Sequence, residues 1–320
     1  MIPILQSIIS RLRFKHLQLI VAIEDYGSLH KAATAISISQ PGATKLLNEV
    51  ERSVGVKLFD RTAKGIVPNE VGSCITKYAR LIFNDLSHMR EEIVGIAEGA
   101  GGHIAVGCIM GAVPILTRAI YELRCDQPEL TVEIFENNSA NLLKKIDQGR
   151  IDFALCRVSR GHNTLPYDNM DLSQEPIAIV ANKNHPLLGS TDLTLEDLVD
   201  FPWVLYTSNT PMRQSIEYEM HKLGFEIIKN PVESSSAFST IMMLQYDVNL
   251  LAVLPLDVAD FFSSNNLISV LDIKITSLKS KIGVVKRKDV NLTPTAHLLI
   301  SKLFKNQEKA YDPGAWSNTL

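Results

Sequence analysis

Apolar side chains recur at helical spacing in the first part of the chain. Ala43, Leu46, Leu47 and Val50 fall at i, i+3, i+4 and i+7, which is one stripe of an α-helix. The other face bears Gln40, Pro41, Thr44, Lys45 and Asn48. Ser39 suits the N-cap, because its hydroxyl can accept a hydrogen bond from a free first-turn N–H. Pro41 is tolerated there, since first-turn N–H groups have no helical partner. A shorter helix is expected from about Leu29 to Ile36, with Ala32, Ala33 and Ile36 inward and Ser28 as its cap. An earlier one, about Phe14 to Asp25, supplies Leu17, Ile20, Val21 and Ile23 to the same small core.

Two short helices joined by a tight turn are followed by Gly55-Val56-Lys57-Leu58-Phe59-Asp60-Arg61-Thr62, which reads as a basic β-wing. The polar face of the second helix carries groups that hydrogen-bond base edges or phosphates. A structural helical hairpin in an unrelated protein would have a similar pattern, and charge separates the two readings. Residues 1–69 hold nine Lys/Arg and five Asp/Glu, a net of +4; the whole chain is −3, which leaves −7 for the remainder. A basic head on an acidic body fits phosphate contact by the head alone.

From Glu70 to about Gly99 the pattern is one long helix. Val71, Ile75, Tyr78 and Ile82 form a heptad seam, and Leu86, Met89, Ile93 and Ile96 resume it after an extra step of four, which resembles a stutter. About 30 helical residues extend about 45 Å. A stripe that long calls for a partner helix from a second subunit; the competing reading lays it on its own domain. Gly99-Ala100-Gly101-Gly102 ends it as a hinge.

Beyond Gly102 strands and helices alternate. Strands are expected at Ile104–Gly107, Thr131–Phe135, Asp152–Leu155, Pro176–Ala181, Trp203–Tyr206 and Leu251–Leu254. Helices are expected at Pro114–Arg124, Asn141–Gln148, Pro211–Leu223 and Ala237–Tyr246. Such alternation argues for a parallel α/β sheet.

The head resembles the winged helix–turn–helix of LysR-type transcriptional regulators. The residues carrying the resemblance are Leu17, Gly27-Ser28, Ala32-Ala33, Ser39-Gln40-Pro41, Leu47, Glu51, Gly55-Val56, Leu58-Phe59, Arg61 and Pro68 through Gly72. Gly42 and Ala43 depart from that pattern, where the family usually has Ala and a larger aliphatic residue, and Lys45 stands where Arg is common. An early helical glycine costs roughly 1 kcal/mol relative to alanine, and Lys gives a point contact in place of a bidentate one.

The resemblance implies an α/β protein in three parts: a winged helix–turn–helix DNA-binding domain (1–69), a dimerising linker helix and hinge (70–102), and a periplasmic-binding-protein-like effector domain (103–305). Lobe one would be 103–170 with 275–305 and lobe two 171–274, with ligand between them. Residues 306–320 read as a loosely held tail. The implied partners are double-stranded DNA, as an imperfect palindromic operator, and a small effector. A second subunit joins through the linker helix, with dimers pairing into a tetramer. On this reading Gln40, Pro41, Thr44 and Lys45 read bases, while Ser28, Lys31, Arg61 and Lys64 hold phosphates. Ser39, Asn48 and Thr62 complete the surface.

In open α/β sheets ligands sit at the carboxyl ends of strands, beside helix N-termini. The first strand is followed by Met110 and Gly111, leading into a helix whose free N–H groups favour an anion. The third is followed by Cys156 and Arg157, and Arg157 supplies a fixed positive charge that would make the effector anionic; alternatively it pairs with a nearby carboxylate. In the second lobe Thr207 and Ser208 open one helix, and Ser235, Ser236 and Phe238 another. Asp247 and Asn249 stand where the family usually has glycines, and both residue types tolerate φ > 0.

Composition agrees. The apolar fraction is 46%, ample for ordinary cores. No run of about 18 apolar residues suggests a membrane span, and Met1–Ser10 is a poor export signal, read as a short lead-in to the first helix. Cys74, Cys108, Cys125 and Cys156 form no C-x-x-C pair. Free thiols in a reducing cytoplasm are expected, with a redox role for Cys108 and Cys156 less favoured than inert burial. The eight histidines lack metal-ligand spacing, and no cofactor is implied. The body alone would fit a solute-binding or transport component, but such a protein has a signal peptide and no basic head. No Walker A, G-x-G-x-x-G, H-E-x-x-H or G-x-S-x-G motif points to an enzyme.

Overall fold

The computed structural model describes residues 3–62, 65–98, 102–157, 166–208, 210–225, 230–273, 281–288 and 290–312. The chain divides into two compact units, Met1–Ala97 with Asp147–Arg150, and Glu98–Ile146 with Ile151–Leu320.

The first unit opens with α1 (Leu5–Arg11), in the stretch read as a lead-in; it buries none of its residues. Next come α2 (Phe14–Tyr26), α3 (Leu29–Ala35) and α4 (Gln40–Val54), then strands β1 (Phe59–Thr62) and β2 (Gly65–Pro68), and the long helix α5 (Glu70–Glu98). The predicted caps form: Ser28 Oγ accepts from Lys31 N at 3.4 Å and Ser39 Oγ from Gly42 N at 3.2 Å. Between α3 and α4, Ser37 takes φ +56° and Ile38 N donates to Ala33 O at 3.0 Å, which closes the tight turn. Ile20, Ile23, Ala32, Ala43, Val50 and Leu58 form a sealed core. Leu19, absent from the predicted core, is fully buried, whereas Val21 is only half-buried. β1 and β2 pair antiparallel as the wing.

In the second unit the elements are β3 (His103–Cys108), α6 (Val113–Asp126), β4 (Thr131–Glu136), α7 (Ser139–Asp147), β5 (Phe153–Cys156), β6 (Tyr167–Gln174), β7 (Ile177–Ala181), β8 (Trp203–Leu205), α8 (Pro211–Lys222), β9 (Val232–Glu233), α9 (Ala237–Tyr246), β10 (Leu251–Pro255), α10 (Leu256–Ser264), β11 (Ser269–Val270), β12 (Lys281–Arg287) and α11 (Pro294–Lys305). They build two five-stranded sheets, ordered β4-β3-β5-β12-β6 and β11-β7-β10-β8-β9. Both are mixed, which corrects the expectation of a parallel sheet. β3 runs parallel to β4 and β5, but β12 is antiparallel to β5 and β6. β10 is parallel to β8 and antiparallel to β7. The reason is topological. The chain leaves the first sheet along β6, which runs in the direction of β5, builds the second sheet and returns along β12, which enters between β5 and β6 in the opposite direction. β6 stays in the first sheet to Gln174, so the crossover falls at Glu175–Pro176, beyond the 170/171 division.

The start of the tail is held. The Tyr311 ring stacks on Phe304 with centroids 5.6 Å apart, and its hydroxyl lies 2.5 Å from His297 Nδ1. The Asp247–Asn249 turn forms without left-handed residues: neither has positive φ, and Asp247 Oδ1 accepts from Asn249 N at 3.0 Å. A side-chain acceptor closes this Asx turn in place of glycine's backbone freedom.

Candidate functional site

The head presents α4 with its apolar edge sealed and its polar edge open. Ala43 and Val50 are buried, while Gln40, Pro41, Thr44, Lys45 and Asn48 are all exposed. Thr44 Oγ1 donates back to Gln40 O at 3.2 Å, and its lone pairs remain free to accept from a base amine. Lys31, Arg61 and Thr62 are exposed, Ser28 is half-buried, and Ser39 sits exposed at the start of α4. Lys64 lies outside the described residues. The structure thus brings the predicted base-reading residues onto one face.

Several residues hold this surface in place without joining it. Glu51 is buried, accepting from Leu58 N at 3.0 Å and pairing with Lys57 Nζ at 2.5 Å, which ties α4 to the start of the wing. Arg80 on α5 grips the end of α2, with Nη2 at 2.6 Å from Asp25 Oδ1 and 3.0 Å from Glu24 Oε2. Burial opposes the Arg80 charge, but the two carboxylates prevail and its pKa is raised. Sequence spacing gave no signal for this clamp, because its members are 55 and 56 residues apart.

In the second unit the carboxyl ends of β3, β4, β5, β8 and β9 converge on a cavity of about 700 Å³ between the two sheets. Of the residues predicted for it, Met110, Gly111, Arg157, Thr207, Ser235 and Ser236 line it. Cys156, Ser208 and Phe238 do not. The Cys156 side chain points into the first core, fully buried; Ser208 is exposed outside the lining; and Phe238 turns its ring to solvent, 71% exposed. Tyr206 and Thr210, in the stretch that opens the helix with Thr207, line it too, and so do Glu136, Asn137, Asn138, Ser139 and Glu175, which sequence did not single out.

Two carboxylates define its chemistry. Glu175, buried, forms an ion pair with Arg157, so the reading in which that arginine meets a nearby carboxylate holds. Burial pulls the Arg157 pKa down to about 10, and it stays cationic at neutral pH. Glu136 stands at the exposed end of β4, where partial burial raises its pKa above the usual carboxylate value. Tyr206, between the lobes, is shifted up by burial and by Glu136. Several lining polar groups are already engaged: Ser139 Oγ accepts from Arg157 N at 3.2 Å, Thr210 Oγ1 donates to Thr207 O at 2.8 Å, and Ser236 Oγ accepts from Ser239 N at 3.2 Å. Cys108 and Cys156 are both buried, and burial pushes each thiol up to about 12, so neither carries thiolate at neutral pH.

Among the described residues no cluster of His, Cys, Asp or Glu is arranged to hold a metal ion, and no helix is long and apolar enough to cross a membrane.

A winged helix–turn–helix unit and a two-lobed α/β unit with a ligand-sized cleft are the parts of a DNA-binding regulator that carries its own sensor. Comparison with known proteins agrees. Residues 14–73 match the bacterial regulatory helix-turn-helix protein, lysR family, and residues 97–306 match the LysR substrate binding domain. The HTH-type transcriptional regulator GbpR of Azospirillum brasilense is 30% identical over 296 residues, 92% of this chain and 86% of its own length. Among solved structures, CbnR, a LysR family transcriptional regulator, superposes with a TM-score of 0.66 at 18% identity, covering 94% of this chain and 100% of its own. CbnR in complex with its target DNA gives 0.65 at 19% identity, covering 92% and 99%. The chain belongs to the LysR family and is a DNA-binding transcriptional regulator with a substrate-binding domain.

Proposed function

We propose that this regulator works in the cytoplasm, without catalytic turnover, as a dimer that reads two half-sites of an imperfect palindromic operator. The observation that carries the reading is the exposed face of α4. Four polar or charged side chains and Pro41 stay in solvent on a helix whose other edge is sealed, as a helix entering a major groove requires. Gln40, Thr44 and Lys45 contact base edges, with Pro41 packing on an apolar edge and Ser39 and Asn48 flanking them. Ser28, Lys31, Arg61, Thr62 and Lys64 hold phosphates. Pairing runs through α5, whose seam residues Val71, Tyr78, Ile82, Met89 and Ile93 are exposed; two such dimers associate into a tetramer. A small effector in the cleft shifts the population between arrangements of the paired subunits on DNA.

The test is a gel-shift titration on a promoter fragment that the parent chain retains. Thr44→Ala and Lys45→Ala should each weaken specific binding by about 1–3 kcal/mol, the worth of a base contact, and leave non-specific binding nearly intact for Thr44→Ala. Unchanged specific affinity in both variants refutes the assignment.

A further inference from the structure

Two features of the cleft invite an anion, and both are already taken. Among the described lining residues Arg157 carries the fixed positive charge, and its partner is Glu175. The turn Met110–Ala112 leads into α6, and a Cβ built on Gly111 would lie 1.9 Å from Glu175 Oε1. The Glu175 carboxylate therefore occupies the place, between the arginine and the helix entrance, where the carboxylate of an acidic ligand would otherwise sit. Glu175 is 5% exposed, and its Oε1 accepts no hydrogen bond among the described residues. A buried acceptor in that condition is costly until a donor reaches it. Glu136 adds a second carboxylate at the mouth, with no ion-pair partner among the described residues. Among the described residues that line the cleft, one cation stands against two carboxylates, a net negative charge.

We propose that the cleft takes a ligand that brings hydrogen-bond donors and no negative charge, a neutral polyhydroxylated solute or an amine, with Glu175 standing where a ligand carboxylate would have bound. The inference rests on the reading of the cleft as the effector site. A hydroxyl or ammonium donor satisfies Glu175 Oε1 at the floor and meets Glu136 at the mouth. An acid would place a further negative charge beside both. Gly111 matters because any side chain there would strike the Glu175 carboxylate.

Thermal unfolding of the full-length chain at pH 7 tests this with three panels: the carboxylates benzoate and succinate, the neutral solutes glucose, arabinose and myo-inositol, and the amines putrescine and ethanolamine. The expected result is a rise of roughly 5 °C or more at saturating concentration with a neutral or amine compound and none with the carboxylates; which of the two panels responds identifies the source of the donor. Glu175→Gln should weaken that compound at least tenfold and open the site to the carboxylates, because Arg157 loses its partner. Glu136→Gln, an isosteric change at the exposed mouth, should weaken an amine without changing the melting temperature of the free chain, and so supplies the answer if Glu175→Gln unfolds. Stabilisation by a carboxylate in the parent chain, or no response to either donor panel, overturns the proposal. Operator binding without ligand, measured by gel shift, is a separate readout: its loss would sink the regulator reading whatever the panels give.

Discussion

The α-carbon of Gly72 lies against the carbonyl oxygen of Leu58, so close that a Cβ at position 72 would stand 2.0 Å from it. The Leu58 backbone is held elsewhere on both sides. Leu58 N donates to Glu51, and Asn69 N donates to Leu58 O at 3.0 Å. Asn69 Oδ1 in turn accepts from Gly72 N at 2.9 Å, capping α5. The backbone of one residue, Leu58, thus joins the recognition helix, the root of the wing and the start of the linker helix.

Gly72→Ala should therefore loosen the head. The clash is with backbone, which cannot swing aside, so a loss of about 1–3 kcal/mol is expected, in the range of overpacked cores. Urea unfolding followed by circular dichroism reads the change. An alanine variant as stable as the parent, with the same DNA affinity, contradicts the packing described.

The head was readable in sequence because its instructions are local. Ser28 and Ser39 cap helices three residues on, and each helix has a single apolar stripe; α9 was expected at its observed bounds for the same reason. β6 was not foreseen, because YDNMDLSQ lacks the alternation of a half-buried strand; its burial comes from the β12 partner more than 100 residues away. Glu175 was lost with it, being the first residue past the end of β6. Glu136 was within reach. The rule that picked Gly111 after β3 and Arg157 after β5 applies equally to the Glu136-Asn137-Asn138-Ser139 stretch that ends β4. Lys286 and Asp168, a buried pair 3.0 Å apart, left no sequence signal, because each lies on a crossing strand.

Thiol chemistry offers a second check. Cys108 and Cys156 reach the thiolate only near pH 12, and both are buried, while Cys74 and Cys125 are exposed. Alkylation of the native chain with iodoacetamide at pH 8 should label Cys125 and Cys74 and spare the other two; denaturation should release all four. Mass spectrometry of the peptides gives the answer. Rapid native labelling of Cys156 would contradict its burial and reopen a redox role.

The seam on α5 predicts the oligomer. Tyr78 and Ile82 are 57% and 38% exposed, and replacing apolar seam positions by charge removes the reason for two helices to pair. The double variant Tyr78→Asp/Ile82→Asp should sediment as a monomer and bind DNA at least tenfold more weakly, since the second head no longer binds as part of the same molecule. An unchanged sedimentation mass would place the interface elsewhere.

Whether α4 reads sequence in duplex DNA is decided by selection from a random duplex pool with the full-length chain. Recovered duplexes should converge on an inverted repeat whose half-sites sit one or more helical turns apart, and Lys45→Ala should relax the selection at a position in each half-site. A recovered pool indistinguishable from the input would mean that α4 does not read sequence.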